Sequence, residues 1–227
     1  MDEAALVAGI DKYSHGWVAV VLRAGQFDRA LVAPSLAPLV AQLADARVIG
    51  LDMPIGLPER EYRPADLQAR DFVGPRRASV FLTPPRAVLE ALDYATARER
   101  SLALSNRSVS RQAFGLHKTI LEADVIARRD PRIREVHPEV SFRALADEPF
   151  PEPKSSWAGA VHRRLALERA GIVLPEKLGD AGWAGVADIL DAAAAAWSAH
   201  QIASGVERSF PPEPSVGADG HVAAIWY

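Results

Sequence analysis

VIGLDM, residues 48–53, is a continuous apolar run that only Asp52 interrupts. Runs of this kind are typical of a strand that is buried on both faces by parallel pairing. A lone carboxylate inside such a strand destabilises the fold unless it is paired, protonated or bound to a metal ion. We therefore predict that Asp52 belongs to a functional site. The structural alternative is a cap on the turn that follows.

Three short apolar runs precede this strand, at residues 6–10, 17–22 and 26–32. Turn residues separate them, a pattern typical of an antiparallel meander. A helix is predicted to open at Pro34 and to run through Leu43, because its apolar residues repeat at helical spacing. The predicted order of elements up to residue 53 is thus β-β-β-α-β.

Residues 55–132 change the pattern, because they are rich in arginine, proline and helix formers. We predict a helical insertion there, between the fourth and fifth strands, with helices at residues 85–104 and 110–129. The later elements predicted are a strand at residues 134–142 that Pro138 breaks, helices at residues 157–170 and 186–203, and an edge strand at residues 222–227. The predicted fold class is α/β, in one domain of residues 1–227. Its mixed sheet has three antiparallel strands followed by parallel ones, and helices flank it.

The composition excludes several classes of site and of protein. The chain has no cysteine, so disulfides and thiolate metal ligands are ruled out. No apolar run approaches the ~20 residues of a membrane helix, and the start Met-Asp-Glu lacks the basic region of a signal peptide. We therefore expect a cytoplasmic protein without a membrane partner. The net charge of −3 counts against tight binding of nucleic acid through phosphates alone, since such proteins are usually basic.

Further carboxylates lie where predicted strands and helices begin or end. Asp11 closes the first strand just after Gly9, which would let a ligand or a neighbouring chain approach closely; alternatively, Asp11 only opens a turn. Glu139 follows the fifth strand candidate and could bring another carboxylate to the same edge. Asp188 and Asp191 are three residues apart and share one face of a helix. Asp188 suits the N-cap, and Asp191 is the better candidate for a site.

Together these acids predict a divalent-metal site. The candidate catalytic residues are Asp11, Asp52, Glu139, Asp188 and Asp191, and the candidate metal ligands are Asp11, Asp52, Asp188 and Asp191. Several oxygen ligands from separate elements suit Mg²⁺ or Mn²⁺ rather than a soft metal. Two such ions could activate a water and stabilise a leaving oxygen in phosphodiester hydrolysis.

Basic residues are candidates for holding the phosphates of a substrate. We single out Arg76, Lys118 and Lys154, because cations beside a metal site can bind phosphate or carboxylate. The alternative for most basic residues of this chain is a salt bridge between the insertion and the core. His137 is a further candidate for substrate binding, although a lone histidine more often has a structural role.

Several of these motifs together resemble a bacterial and archaeal domain family of unknown function that is labelled predicted RNase-H-like nuclease. The motifs that carry the resemblance are Gly9-Ile10-Asp11 with Gly16-Trp17, Asp52-Met53-Pro54-Ile55-Gly56-Leu57-Pro58, Arg70 with Gly74, Arg76, Ser79-Val80-Phe81 and Pro84, His137-Pro138-Glu139-Val140-Ser141-Phe142, and Asp188 with Asp191-Ala192 and Ala196-Trp197. The resemblance implies a ribonuclease-H-like fold, shared with Holliday-junction resolvases. Those enzymes place one acid on the first strand, one at the end of the fourth and one on a late helix. The matching positions are Asp11, Asp52 and Asp188 or Asp191.

Three functions are compatible with these features. The first is a metal-dependent nuclease acting on DNA or RNA, with Mg²⁺ or Mn²⁺ as its cofactor. The second is a nucleotide-binding, phosphoryl-transfer protein of the actin-like ATPase superfamily, which the single glycine of the turn Asp11–Gly16 disfavours, because a phosphate loop is rich in glycine. The third is a non-catalytic scaffold that keeps the fold, which the acids disfavour, because burying them without use costs stability.

Overall fold

A computed structural model describes residues 5–214, 216 and 222–227 of the chain. Five strands form its central sheet: β1 (Leu6–Tyr13), β2 (Gly16–Arg23), β3 (Gln26–Ala33), β4 (Ala46–Leu51) and β5 (Ile133–Glu135). Their order in the sheet is β3-β2-β1-β4-β5. The first three strands are antiparallel, whereas β4 is parallel to β1 and β5 is parallel to β4. The predicted α/β class and mixed sheet are therefore confirmed.

Helices connect β3 to β4 and β4 to β5. The first connection is α1 (Leu36–Gln42). The second contains helices and no strand over residues 55–132, all of which the structure describes: α2 (Pro64–Val73), a 3-10 helix (Gly74–Ser79), α3 (Arg86–Leu89), α4 (Tyr94–Ser105), α5 (Arg111–Gly115) and α6 (His117–Ala127).

The two helices predicted within the insertion are each divided in two, so their predicted extents are wrong. The helix predicted at residues 85–104 stops at the end of α3, and Asp93 then caps α4 by accepting a hydrogen bond from the Thr96 N–H at 2.8 Å. The helix predicted at residues 110–129 breaks at Leu116, where the ring of His117 binds the carbonyl oxygen of Phe114 at 2.7 Å. Local polar contacts thus override a continuous helical pattern.

The strand predicted at residues 134–142 is wrong beyond Glu135. The chain instead enters α7 (Pro138–Ala146), because Pro138 suits the first turn of a helix and His137 caps that turn. The His137 Nδ1 accepts a hydrogen bond from the Glu139 N–H at 3.2 Å. Phe142, expected on a strand, is buried on this helix.

The last third of the chain contains α8 (Trp157–Arg169), a 3-10 helix (Gly179–Trp183), α9 (Val186–Ser204) and a separate two-stranded sheet of β6 (Ser209–Phe210) and β7 (Ile225–Trp226). The helices predicted at residues 157–170 and 186–203 are confirmed to within a residue at each end. The edge strand predicted at residues 222–227 is shorter, and it pairs with β6 outside the main sheet. Among the described residues, no helix is both long and apolar enough to cross a membrane.

Helices cover the two faces of the sheet. On one face, α1 packs Leu36 and Leu39 in a core cluster with Ile10. On the other face, the alanines of α9 pack in a core cluster with Val7 and Val18. Strands β1 and β2 are consequently buried on both faces, as their unbroken apolar runs predict.

Helix α9 lies close enough to the sheet to touch its backbone. Gly9 of β1 and Gly50 of β4 are neighbours in register. A Cβ atom added at Gly9 would lie 2.0 Å from the backbone nitrogen of Ala196, and one added at Gly50 would lie 2.6 Å from the carbonyl oxygen of Ala195. Glycine is therefore required at both positions, and the close approach fixes where α9 presents its polar residues.

A buried carboxylate ties the insertion to the segment that follows β4. Asp124 on α6 is fully buried and accepts a hydrogen bond from the Gly56 N–H at 3.2 Å. It also accepts hydrogen bonds from Arg86 at 2.5 Å and from Arg128 at 2.9 Å. Because three donors converge on one carboxylate, this contact holds α3 and α6 against the end of β4.

Candidate functional site

Three carboxylates from three elements interact at one edge of the sheet. Asp11 lies near the end of β1, Asp52 directly follows β4, and Asp191 is in the second turn of α9. Because β1 and β4 are parallel, their carboxyl ends share this edge, and the Asp52 N–H donates to the carbonyl oxygen of Ile10 at 3.0 Å. Asp11 and Asp191 are buried, whereas Asp52 keeps partial exposure.

Each of these carboxylates is destabilised as an anion. Burial raises the pKa of Asp11 well above its ordinary value, and the charges of Asp52 and Asp191 raise it further. Burial also raises the pKa of Asp52, against the opposing effects of His137, Lys154 and a hydrogen bond with Asp11. Burial therefore favours the protonated form of both Asp11 and Asp52.

Asp191 is the acid that a cation contacts directly. Burial raises its pKa to about 6, with Asp52 and Glu139 adding to the effect and Lys154 opposing it. The Lys154 ammonium forms a hydrogen-bonded ion pair with the Asp191 carboxylate. Burial disfavours the charge of Lys154, but Asp191, Asp11 and Asp52 together raise the pKa of its ammonium above the ordinary value. Lys154 is thus the counter-cation of the acidic cluster.

Asp188 lies one turn earlier on α9 and is half-buried. Its carboxylate accepts a hydrogen bond from the backbone of Gly185, which precedes the helix, although burial still raises its pKa. The N-cap of α9 is Gly185, so the N-cap expected at Asp188 is wrong, and Asp188 lies in the first turn of the helix instead. Asp191 is therefore the stronger candidate for the site.

Glu139 is engaged by two arginines rather than open to a metal ion. Both of its carboxylate oxygens accept hydrogen bonds from Arg163 at 2.9 Å, and one also accepts from the Arg76 Nε at 3.0 Å. Arg163 is fully buried, with its guanidinium over the rings of Phe142 and Phe150. A direct catalytic role for Glu139 stays a prediction that these contacts do not favour, and Arg76 likewise has an intramolecular partner.

A cavity of about 360 Å³ opens beside Asp11 and Asp52. His137 and Lys154, both predicted to bind substrate, line it. Lys118, which was also predicted to bind substrate, lies exposed on the first turn of α6. The insertion contributes other residues to the wall of the cavity. Those wall residues are Arg63, Asp66, Ser79, Val80, Phe81, Thr83, Gln112 and Leu116.

Two contributors to the site could not be found from the sequence. Arg163 lies in an ordinary helical pattern, and nothing in its neighbours indicates that it meets Glu139. Thr83 follows the motif Ser79-Val80-Phe81, which the resemblance includes, but no spacing indicates that it lines the acidic cavity. The contacts of both residues depend on tertiary packing alone.

The donor set fits a hard divalent cation by its chemistry, because burial raises the pKa of all three carboxyls and a cation between them would relieve the cost of their negative charge. Within the described residues, however, no three Asp, Glu or His side chains are arranged so that they could hold a metal ion as they stand. The Lys154 ammonium already occupies an oxygen of Asp191. Metal binding would therefore require the side chains to rearrange.

Comparison with known proteins identifies a family but no activity. A family model described as "Protein of unknown function (DUF429)" matches residues 9–216, a range that includes Asp11, Asp52 and Asp191. No curated protein and no solved structure matches the chain.

Proposed function

Because the chain belongs to a family of unknown function, DUF429, we propose its function from the site: a divalent-metal-dependent nuclease that hydrolyses phosphodiester bonds in DNA or RNA. The observation that carries the proposal is the burial of Asp11, Asp52 and Asp191 together at one sheet edge. These residues come from three separate elements; burial raises the pKa of each, the charges of Asp52 and Asp191 raise that of Asp11 further, and the charge of Asp52 raises that of Asp191. Perturbed carboxyls in a cavity are typical of catalytic sites.

A cluster of this kind costs folding stability, because each buried charge loses its hydration and repels the others. A structural role would be served equally well by apolar or neutral residues, which carry no such cost. A role in binding a cation accounts for the cost, since the free energy of metal binding offsets the repulsion.

In the proposed mechanism Asp11, Asp52 and Asp191 hold Mg²⁺ or Mn²⁺. When bound there, the metal ion supplies Lewis-acid activation of a water and of the scissile phosphate. The Lys154 ammonium would be displaced from Asp191, and any proton on Asp11 or Asp52 would pass to solvent water. The Lys154 ammonium, no longer paired, would then bind a non-bridging phosphate oxygen of the substrate.

The strand order and the positions of the acids support the RNase-H-like assignment that the sequence motifs suggest. A shared fold does not by itself transfer an activity, so the nuclease label rests on the acidic site rather than on the sheet. Nucleic acid as the partner and Mg²⁺ or Mn²⁺ as the cofactor are parts of the same proposal.

The test is calorimetric titration of Mn²⁺ and Mg²⁺ into the wild type, Asp52→Asn and Lys154→Met, with parallel incubation with a panel of DNA and RNA structures. We expect metal binding and metal-dependent cleavage in the wild type and loss of both in Asp52→Asn. Asp71→Asn, an exposed acid on α2, is the matched control and should behave as the wild type. Lys154→Met should bind metal more tightly, because no ammonium competes for Asp191, yet should cleave more slowly.

The ion pair of Lys154 with Asp191 favours a second candidate, a non-catalytic scaffold in which the lysine permanently neutralises the acids. This candidate predicts that neither the wild type nor Lys154→Met binds metal, even with nucleic acid present. It also predicts that Lys154→Met lowers the free energy of unfolding, because Asp191 then lacks its partner. Metal binding by the wild type would exclude it.

A further inference from the structure

The insertion contributes much of the lining of the cavity beside the acids. This lining combines Asp11, Asp52 and Lys154 with residues from the segment between β4 and α6. At about 360 Å³, its volume is at the lower end of the range for small-molecule pockets, roughly 300–1,000 Å³. Its walls therefore limit the size of what can reach the acids.

Buried hydrogen bonds hold the part of the wall that the insertion contributes. Arg63 is buried and donates hydrogen bonds to Glu135 of β5 at 2.6 and 2.7 Å and to Asp66 of α2 at 2.5 Å. Asp66 in turn accepts a hydrogen bond from the Thr83 N–H at 2.7 Å. A continuous chain of buried contacts thus fixes the backbone of Thr83 to the central sheet.

The hydroxyl of Thr83 is the feature that indicates a ligand. Thr83 has no exposed surface, and its Oγ1 has no hydrogen-bond partner among the described residues. A buried polar atom without a partner is rare and costs free energy. Because Thr83 also lines the cavity, a ligand in the cavity can supply the missing hydrogen bond.

Part of the wall is apolar, as packing against the face of a planar ring requires. Phe81 and Val80 lie beside Thr83, with Met53 and Pro54 next to Asp52. A nucleobase combines an apolar face with hydrogen-bonding edges, whereas its phosphate would meet Lys154 and the acids. A base paired inside a duplex cannot enter such a pocket, because enzymes that enclose a base must take it from a single strand or flip it out.

We propose that this cavity binds one unpaired nucleotide unit next to the acids and that the Thr83 hydroxyl supplies a hydrogen bond to it. The proposal rests on the nuclease function proposed above and narrows its substrate to single-stranded nucleic acid or small nucleotide phosphodiesters. The net charge of −3 agrees with it, since recognition of one nucleotide unit in a cavity needs no broad basic surface.

The experiment compares cleavage, with Mn²⁺ present, of four substrates: thymidine 5′-(p-nitrophenyl phosphate), a short single-stranded DNA, a single-stranded RNA of the same sequence, and the DNA duplex. Separately, thermal unfolding is followed with and without thymidine 5′-monophosphate and uridine 5′-monophosphate. The variants are Thr83→Val, which keeps the shape without the hydroxyl, and Thr83→Ser, which keeps the hydroxyl. We expect cleavage of unpaired substrates and not of the duplex.

Thr83→Val should raise KM about tenfold, which corresponds to about 1.4 kcal/mol, with kcat little changed, and Thr83→Ser should restore the wild-type KM. The free energy of unfolding of Thr83→Val should be equal to that of the wild type or higher, because an unpaired buried hydroxyl has been removed. Destabilisation by Thr83→Val, without an effect on KM, would assign the hydroxyl a structural role and overturn the proposal.

The other outcomes separate this proposal from the one it rests on. Cleavage of the duplex as fast as of the single strands would overturn the pocket inference and leave the nuclease function standing. If no substrate is cleaved but a nucleotide stabilises the wild type and not Thr83→Val, the nuclease function fails and the pocket stands. If there is neither cleavage nor stabilisation by nucleotides, both are overturned.

Discussion

Gly9→Ala should disrupt the packing that assembles the site, although the change adds only one methyl group. The added Cβ would lie 2.0 Å from the backbone nitrogen of Ala196, 2.2 Å from the carbonyl oxygen of Ala192 and 2.5 Å from the carbonyl carbon of Ala195. Ordinary contact begins near 3.4 Å, so α9 would have to retreat from β1 by more than 1 Å (about 1.4 Å along the shortest contact). No rotamer change can relieve the clash, because all three contacts are with backbone atoms.

Gly9→Ala should lower both the free energy of unfolding and the proposed activity. Overpacking a core costs about 1–3 kcal/mol and occasionally more, and a clash with helix backbone belongs at the upper end, about 3 kcal/mol. Asp191 moves with α9, away from Asp11 and Asp52. A displacement of about 1 Å in a catalytic group can cost about 100-fold in rate, so metal affinity and cleavage should fall even under conditions where the variant is folded.

The assay is urea unfolding followed by circular dichroism, together with Mn²⁺ titration of the folded variant. Gly115→Ala is the matched control, because Gly115 ends α5 and a Cβ there would meet nothing within 4 Å. The control should be as stable as the wild type. Ordinary surface substitutions change the free energy of unfolding by about 0.5 kcal/mol or less. A Gly9→Ala protein whose free energy of unfolding lies within that range of the wild-type value would refute the close docking of α9.

Three further predictions concern the charged groups around the site. Glu139→Gln should lower the free energy of unfolding by about 3–5 kcal/mol, because Arg163 is left as a buried charge without its carboxylate. Urea unfolding measures this free energy. A loss below about 1 kcal/mol would contradict the importance of the Arg163–Glu139 ion pair for stability. Asp191→Asn should flatten the pH dependence of stability. The folded pKa of about 6 lies above the ordinary 3.8, so the folded metal-free protein keeps a proton that the unfolded chain releases, and unfolding free energy falls as pH rises through this window. An equally steep fall in the variant would argue against the raised pKa. Asp124→Asn should speed hydrogen exchange in α3 and α6, since the contacts with Arg86 and Gly56 weaken; unchanged exchange there, by mass spectrometry, would show that other contacts hold the insertion.

The sheet and the long helix α9 could be predicted because their residues carry the information locally. The three initial strands are short apolar runs with turns between them, and VIGLDM is apolar over its whole length apart from Asp52. The alanines that follow Asp191 indicate a helix that packs closely. Since parallel strands end at one edge, the position of Asp11 beside Asp52 follows from the strand order.

The other features of the fold and of the site depend on contacts between residues far apart in sequence. The sequence predicts a strand at residues 134–142 that Pro138 breaks, whereas the cap from His137 begins a helix at Pro138. Neither Lys154 nor Arg163 carries a local signal for its partner, and only the folded chain pairs one with Asp191 and the other with Glu139. Likewise, nothing in the sequence indicates that the hydroxyl of Thr83 is buried without a hydrogen-bond partner.

The docking of α9 on Gly9 and Gly50 also has a consequence for synthesis of the chain. A ribosome releases the chain from its N-terminal end, so β1 and β4 emerge long before α9 does. Until then, the apolar face around Val7 and Val18 lacks its cover and is open to aggregation or to a chaperone. The late arrival of α9 both buries this face and adds Asp191, so the acidic cluster proposed as the metal site is incomplete until this helix has docked.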